Sequence, residues 1–184
     1  MTVFETARLR AREWTPDDAE AAFAIYRDAD VVRFLGSVST PQESVETQRL
    51  TLDRWITVTE SLRPRGFGIW ALETKDTGTV VGTSLLKPLP DVEEVEVGWH
   101  LGKEHWGRGY ATEGARGAVE HGFTACGLDV VYAVVVPENV ASVAVARRLG
   151  MTHEGRTDAY YGKTLELFSL RAGQGLDATK PPAP

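Results

Sequence analysis

A short glycine-rich stretch, Trp106-Gly107-Arg108-Gly109-Tyr110-Ala111-Thr112, has the residue types expected of an anion-binding loop. It follows an alternating, β-branched segment at 95–101 and precedes apolar residues that recur at helical spacing from 111 to 126. A helix start carries unpaired N–H groups and about half a positive charge, and glycine lets the backbone approach a bulky anion. Arg108 and Thr112 could add bonds to such an anion. A plain turn that needs glycine for a positive φ explains the spacing equally well.

The loop differs from two common phosphate-binding loops. A Walker loop has Lys and then Ser or Thr after its last glycine, where this chain has Tyr110-Ala111. A dinucleotide-binding loop has a third glycine where Thr112 stands, and Asp129 precedes the next strand instead of ending it. The remaining type is the acyl-coenzyme A loop. A dinucleotide-binding module stays open as an alternative, which predicts binding of NAD and none of coenzyme A.

Four motifs in order resemble the GNAT superfamily of N-acetyltransferases, and most closely its branch of ribosomal-protein N-terminal acetyltransferases. They are Glu5-Thr6-Ala7-Arg8-Leu9, the run EVGWHL at 96–101, the glycine-rich stretch, and VPENVASVAVARRLGM at 136–151. The superfamily loop reads Q/R-x-x-G-x-G/A, and Trp106 takes its first position, as is usual in that branch. The resemblance extends over nearly the whole chain, from Glu5 to Leu170.

The resemblance implies an α/β (α+β) fold: a mixed, mostly antiparallel sheet of six to seven strands, with one central βαβ unit, splayed strands and about four helices. The 184 residues fit one domain, which we expect to span 1–171, with 172–184 as a frayed tail. Helix starts are predicted at Thr15-Pro16-Asp17-Asp18, running to about Asp28, and at Thr40-Pro41-Gln42-Glu43. The β-branched run Val130–Val136 predicts a strand buried on both faces and parallel to the strand before the central helix.

The resemblance also implies a site for acetyl-CoA as co-substrate. The pantetheine arm would lie where the strand ending at Trp99, His100 and Leu101 splays from the next parallel strand, and backbone N–H groups near His100 and Leu101 would polarise the thioester carbonyl. Asn139 and Ser142 would hold the cofactor from the far side, although Asn139 also suits a helix N-cap. The pyrophosphate would bind the residues of the glycine-rich stretch: Trp106, Gly107, Arg108, Gly109, Tyr110, Ala111 and Thr112.

Glu96 is the candidate general base for deprotonating an amine acceptor, because the family has Glu at this place in E-x-G-Y/W. An outward-facing residue in the acidic run Glu93–Glu96 is the alternative. Many GNAT enzymes have a tyrosine as general acid where this chain has Ala146, which leaves Ser142, Tyr160, Tyr161 or solvent to protonate the thiolate. Candidate acceptor-binding residues are Phe34, Leu35 and Tyr160, and packing beneath a loop explains Phe34 and Leu35 equally well.

Composition restricts the partners. A formal net charge of −6 and a pI near 5.3 argue against sequence-blind nucleic-acid binding. No stretch resembles a signal peptide or a membrane span, and the single Cys126 favours a reducing compartment, so we expect a cytoplasmic protein without membrane association. The four histidines lack ligand spacing, which predicts no metal. A homodimer stays open, because five tryptophans can serve a core or an interface.

Two functions of different classes follow from these motifs. The first is an acetyl-CoA-dependent N-acetyltransferase that moves the acetyl group directly, in a ternary complex, to a protein N-terminus or a small-molecule amine. The alternative is a non-catalytic acyl-CoA-binding regulatory protein with the same fold, for which Ala146 is the one hint.

Overall fold

The computed structural model describes residues 1–36 and 40–174, and these residues form one mixed sheet with helices on both faces. Eight strands lie in the order β1-β2-β3-β4-β5-β6-β8-β7, and every neighbouring pair is antiparallel except β5 and β6. The strands are β1 Thr2–Glu5, β2 Leu9–Glu13, β3 Gly68–Thr74, β4 Val80–Pro88, β5 Val95–Leu101, β6 Val130–Val135, β7 Thr152–Thr157 and β8 Leu165–Arg171.

The predicted mixed, mostly antiparallel sheet with one parallel pair is confirmed, with one strand more than expected. The additional strand is β1, four residues at the sheet edge, which is too short for an alternating pattern to reveal it. The end of β8 at Arg171 coincides with the expected domain end. Of the expected tail, residues 175–184 lie outside the described residues.

Five α-helices are formed by the described residues, against about four expected. They are α1 Ala19–Tyr26, α2 Ala29–Val32, α3 Val45–Leu62, α4 Tyr110–Thr124 and α5 Val140–Arg148. The unpredicted helix is α2, a single turn whose first amides are capped by Asp28, with the Asp30 amide donating to Asp28 Oδ1 at 2.8 Å. Residues 37–39 lie outside the described residues. No helix among the described residues has both the length and the apolar character to cross a bilayer.

The predicted helix start at Thr40 is wrong. Helix α3 begins at Val45, where Ser44 Oγ accepts from the Thr47 amide at 3.2 Å and Thr47 Oγ1 accepts from the Ser44 amide at 3.1 Å. The amide of Gln42 instead donates to the Tyr26 carbonyl at 3.1 Å, which holds the segment before α3 against the end of α1. A tertiary hydrogen bond therefore outweighs the local capping pattern.

The predicted first helix is also shorter than expected. Pro16–Asp18 forms a 3₁₀ turn, in which the Asp18 carboxylate accepts from the Thr15 amide at 2.8 Å, and α1 follows from Ala19 to Tyr26 rather than to Asp28. Arg12 anchors this turn to the sheet through a 2.7 Å ion pair with Asp18.

Each sheet face carries its own apolar core. Helices α4 and α5 cover one face, with Leu72, Val119, Val131 and Phe168 among the buried residues. Helices α1, α2 and α3 cover the other face around Tyr26, Leu52 and Trp55. Sequence alternation on the central strands assigns residues to one face or the other.

The prediction that β6 is buried on both faces is wrong. Val131, Ala133 and Val135 are buried, whereas the alternate residues Tyr132 and Val134 are partly exposed. The parallel arrangement of β6 with β5 is confirmed, but it consists of the single pair Glu96↔Tyr132. The strands then diverge, and this divergence exposes one face of β6.

Helix α4 packs closely on the sheet because glycine occupies the contact point. A Cβ at Gly114 would lie 2.6 Å from Leu72 Cδ1, and Leu72 is fully buried, so its side chain has little room to move. This contact fixes the distance of α4 from β3, and with it the height of the α4 N-terminus above the sheet.

Gly114→Ala is expected to lower the free energy of unfolding by about 1 kcal/mol. Alanine in a helix interior favours folding by about 1 kcal/mol over glycine, but overpacking costs about 1–3 kcal/mol. Chemical denaturation measures the change. In a Leu72→Ala background the added methyl has space, so the same substitution should become stabilising; equal effects in both backgrounds would contradict the packing argument.

Candidate active site

The site is built around the opening between β5 and β6. Strand β5 stays paired with β4 through Leu101, but its pairing with β6 ends at Glu96↔Tyr132. The splayed strands expected from the sequence are therefore present.

Backbone groups of β5 face this opening. The Gly102 amide donates to the Val81 carbonyl at 2.9 Å, which makes this a hydrogen-bonded pair of the antiparallel ladder. Because such pairs alternate, Thr83↔His100 and Leu85↔Gly98 are also hydrogen-bonded pairs, whereas the N–H and C=O of Trp99 point away from β4. Trp99 thus offers a donor and an acceptor at the open edge, as a pairing strand would require.

The glycine-rich loop leads directly into α4. Gly107 and Gly109 adopt φ of 73° and 82°, which L side chains rarely adopt. The first helical hydrogen bond joins the Glu113 amide to the Gly109 carbonyl at 3.0 Å, so the amides of Tyr110, Ala111 and Thr112 precede the helical ladder. A Cβ at Gly107 would have no protein atom within 4 Å, so the space beside this glycine is open.

Arg8 braces this loop from the N-terminal hairpin, a contact that sequence reasoning missed. Its guanidinium donates to the Arg108 carbonyl at 3.0 Å, pairs with the Glu113 carboxylate at 2.6 Å and lies 4.7 Å from the centre of the Tyr110 ring. Thr6 Oγ1 also donates to Glu113 at 2.6 Å. Burial alone would raise the pKa of Glu113, but the hydrogen bonds from Thr6 and Arg8 hold this pKa below its ordinary value.

A large cavity of about 690 Å³ runs from the glycine-rich loop along α5 to the open edge of β5. Most of the predicted cofactor-binding residues line it. They are Trp99, His100, Leu101, Trp106, Gly107, Gly109, Tyr110, Ala111, Thr112, Asn139 and Ser142. Arg108 is not among the described lining residues; its side chain is exposed, and its carbonyl receives the bond from Arg8.

A small cavity of about 170 Å³ adjoins the large one on the other side of the open edge. Among its lining residues are Glu96, the candidate acid Tyr161, and the unpredicted Lys87 and Lys163. Tyr160 is absent from the described lining of both cavities, and Tyr161 occupies the position expected of it. Six of the described residues line both cavities and mark their junction: Phe34, Leu35, Trp99, His100, Asn139 and Ser142.

Glu96 is buried, with 8% of its surface exposed, so the alternative of an outward-facing residue does not hold. Lys87, directly opposite on β4, lies 2.5 Å from Glu96 Oε1, and the Tyr161 hydroxyl donates a short hydrogen bond to the same oxygen. Lys87 Nζ also donates to the Tyr161 hydroxyl at 2.7 Å, which closes a three-residue network. Burial and the Glu96 charge raise the pKa of Tyr161, so the phenol is protonated at neutral pH.

His100 lies at the junction of the cavities and is held from behind by α1. Its Nδ1 lies 3.2 Å from the Tyr26 hydroxyl, which in turn lies 2.5 Å from Thr83 Oγ1. Burial, with a smaller contribution from the Lys87 charge, lowers the pKa of His100 to about 4. The imidazole is therefore neutral at physiological pH.

Asn139 and Ser142 form the first turn of α5. Asn139 Oδ1 accepts from the Ser142 amide at 3.2 Å, so the predicted N-cap is present, and both residues also line the cavities. Ala146, where many GNAT enzymes have tyrosine, is fully buried and belongs to the core beneath α5. A side chain at that position is directed into the core of this protein.

Within residues 1–36 and 40–174, no group of three or more His, Cys, Asp or Glu side chains could hold a metal ion.

Comparison with known proteins identifies similarity to acetyltransferases. A family model described as "Acetyltransferase (GNAT) domain" matches residues 8–152. YoaA of Bacillus subtilis, described as an uncharacterized N-acetyltransferase, is 33% identical over 155 residues, which cover 83% of this chain and 84% of YoaA. A GNAT-family acetyltransferase from Bacillus anthracis has the same fold, with a TM-score of 0.77 at 20% identity over 93% of this chain and 98% of that one. RimJ of Mycobacterium smegmatis, solved with CoA-disulfide, gives a TM-score of 0.71 at 20% identity over 89% of this chain and 82% of that one.

The buried His100 predicts a loss of stability in mild acid. Its pKa is about 4 when folded and about 6.5 when unfolded, so the unfolded chain takes up a proton first as the pH falls below about 6.5. The free energy of unfolding should fall by about 1–2 kcal/mol between pH 7.5 and pH 5 because of this residue alone. Urea titrations at each pH measure the free energy of unfolding, and His100→Asn should remove the part of its decrease that is due to His100. Between pH 7.5 and pH 8.5, where His100 is neutral in both states, the variant and the parent should show the same slope.

Proposed function

Because the chain belongs to the GNAT acetyltransferase family, we propose that this acetyltransferase moves the acetyl group of acetyl-CoA directly to a primary amine in a ternary complex. The observation that carries the proposal is the continuity of the two cavities through the opening between β5 and β6. One cavity begins at a helix N-terminus suited to a diphosphate, and the other contains a buried carboxylate suited to deprotonating an amine.

The large cavity fits the coenzyme end of the donor. The amides of Tyr110, Ala111 and Thr112 supply donors for the diphosphate, and the positive φ of Gly107 and Gly109 lets the loop approach it without a Cβ in between. Arg8 preorganises this loop, so little ordering is required on binding. The Trp99 backbone offers a donor and an acceptor to the pantetheine amides. The RimJ structure, which shares the fold and was solved with CoA-disulfide, supports coenzyme A as the ligand.

Acetyl transfer requires a neutral amine, a polarised thioester and a proton for the departing thiolate. We assign Glu96 as the base that removes a proton from the attacking ammonium or amine, directly or through water. The amine nitrogen then forms its bond to the acetyl carbon, the carbon–sulfur bond breaks, and the thiolate leaves with the sulfur electron pair. Lys87 and Tyr161 hold the Glu96 carboxylate in one orientation.

The residues at the junction suit the remaining roles. The N–H of Leu101, which like that of Trp99 points away from β4, would stabilise the oxyanion, whereas the expected His100 N–H is paired with Thr83. Ser142 or water would return a proton to the thiolate. Phe34 and Leu35 line both cavities and would contact the acceptor as it meets the thioester. The acceptor is a protein N-terminus or a small-molecule amine; roughly 10% of an α-amino group is neutral at pH 7, against well below 0.1% of a lysine side chain.

Gly107→Ala tests the diphosphate site, with Gly78→Ala as a matched control. Both glycines have positive φ, at 73° and 68°, and both have open space beside them, but Gly78 lies in the β3–β4 turn. The two substitutions should therefore lower thermal stability similarly. Only Gly107→Ala should weaken coenzyme A binding, by about tenfold or more in calorimetry, because its methyl group occupies the approach of the diphosphate. Equal dissociation constants for the two variants, or no heat for the parent protein, would overturn this placement.

Glu96→Gln tests the base, with the exposed neighbour Glu94→Gln as control. Loss of a general base is expected to lower kcat by about 100-fold or more, without weakening coenzyme A binding. Thiol release from acetyl-CoA with a panel of amines measures the rate, at pH 6 and pH 7.5. Unchanged turnover of the Glu96 variant at both pH values would exclude it as the base. A parent protein that binds acetyl-CoA but releases no thiol with any amine would instead favour the regulatory alternative.

A further inference from the structure

The small cavity carries an excess of positive charge. Its described lining contains five ionisable side chains, namely Lys87, Glu96, His100, Tyr161 and Lys163. His100 is neutral because burial lowers its pKa, and Tyr161 is neutral because burial raises its pKa. Two lysines therefore stand against one carboxylate, which leaves a formal charge of about +1 on the wall that receives the acceptor.

The negative charge on this wall is already paired. Lys87 lies 2.5 Å from Glu96 Oε1, and Tyr161 donates a hydrogen bond to the same oxygen, so only Oε2 is left for the one amine that reacts. Asp30 and Glu138 line the large cavity alone, and Asp30 is paired with Lys103 at 2.5 Å. An acceptor with several ammonium groups would find no unpaired carboxylate on the described wall of the small cavity.

Lys163 is the cation on this wall without a side-chain partner among the described residues. It lies in the β7–β8 loop and is exposed, and its backbone amide donates to the Tyr160 carbonyl. An ammonium on the rim of a mostly apolar cavity attracts an anionic ligand group more strongly than an ammonium on an open surface does. The reason is that the apolar wall weakens screening by solvent.

The small cavity also limits the part of the acceptor that lies beside Glu96. Its volume of about 170 Å³ corresponds to roughly six water molecules at about 30 Å³ each. The reacting end of the acceptor is therefore small, with its amine near Glu96 and its anionic group near Lys163.

We infer that the acceptor is a small amine that carries a carboxylate close to its reactive nitrogen, such as an α-amino acid, with Lys163 binding that carboxylate. This inference rests on the acetyl transfer proposed above. It assigns Lys163 a role in acceptor specificity, and it excludes polyamines and polycationic sugars as good acceptors.

The test compares each amino acid with its own carboxamide as acceptor, and adds a diamine. Thiol release from acetyl-CoA gives kcat/KM for every acceptor at pH 7.5. A carboxylate raises the pKa of the neighbouring ammonium, so the carboxamide has more neutral amine and would react faster if the protein ignored the carboxylate. For the best amino acid, the expected kcat/KM is at least fivefold higher than for its own carboxamide. The diamine should show little activity.

Lys163→Gln should lower this carboxylate preference, measured as the ratio of the two kcat/KM values, by about fivefold and through KM. Lys163→Glu should lower it further and improve use of the diamine. Lys75→Gln, which removes a lysine from the remote β3–β4 turn, should leave the ratio at the parent value. Lys163 is exposed, so both variants should fold, and their melting temperatures verify it.

Two outcomes would overturn the inference while acetyl transfer itself stands. One is a parent enzyme that uses the carboxamide or the diamine at least as well as the amino acid, and the other is an unchanged ratio in both Lys163 variants. Absence of thiol release with every acceptor would instead refute the proposed function.

Discussion

The divergence of β5 from β6 is the constraint on which the rest of the site depends. A strand in the middle of a sheet has backbone donors and acceptors on both edges, and leaving them unpaired in a protein interior costs free energy. Strand β5 satisfies one edge through β4, but it leaves β6 after the single pair Glu96↔Tyr132. The open edge at Trp99 therefore requires water or a ligand with alternating amide groups. The same geometry places Glu96 at the last paired position, so that its side chain lies where the opening begins.

The glycine-rich loop is held in place by parts of the chain that are distant in sequence. Arg8, between β1 and β2, contacts the carbonyl of Arg108, the carboxylate of Glu113 and the ring of Tyr110. Gly114 and Leu72 then set the distance of α4 from the sheet. A helix N-terminus binds an anion well only when its amides are already aligned, and these contacts align them before the ligand arrives. The N-terminal hairpin is therefore part of the site even though it contributes no lining residue.

Local patterns predicted the parts of the fold and site whose conformation is determined locally. The glycines at 107 and 109, helix α4 and the cap at Asn139 depend on neighbouring residues, and the sequence predicted each of them. Lys87 was missed because its contact with Glu96 depends on the β4–β5 register, which the sequence alone does not reveal. Tyr161 was expected as one candidate acid, and Tyr160 alone as an acceptor-binding residue. The loop turns through a positive φ of 56° at Tyr161, and Tyr161 rather than Tyr160 lines the small cavity. The cap at Thr40 failed for a related reason, since the Gln42 amide is bound by α1.

In the proposed mechanism, the absence of a tyrosine at position 146 matters less than the presence of Glu96. A thiol has a pKa near 8.5, so a thiolate is a moderately good leaving group at neutral pH and gains little from an acid. An amine acceptor is mostly protonated at that pH and cannot attack until it loses a proton. Deprotonation of the amine is therefore the difficult step, and it requires a base. Tyr161 supplies a phenol to the same cavity, but its pKa is raised and its hydroxyl donates to Glu96. The phenol and Lys87 together keep the Glu96 carboxylate oriented. In the proposed mechanism, turnover therefore depends on the base rather than on a general acid.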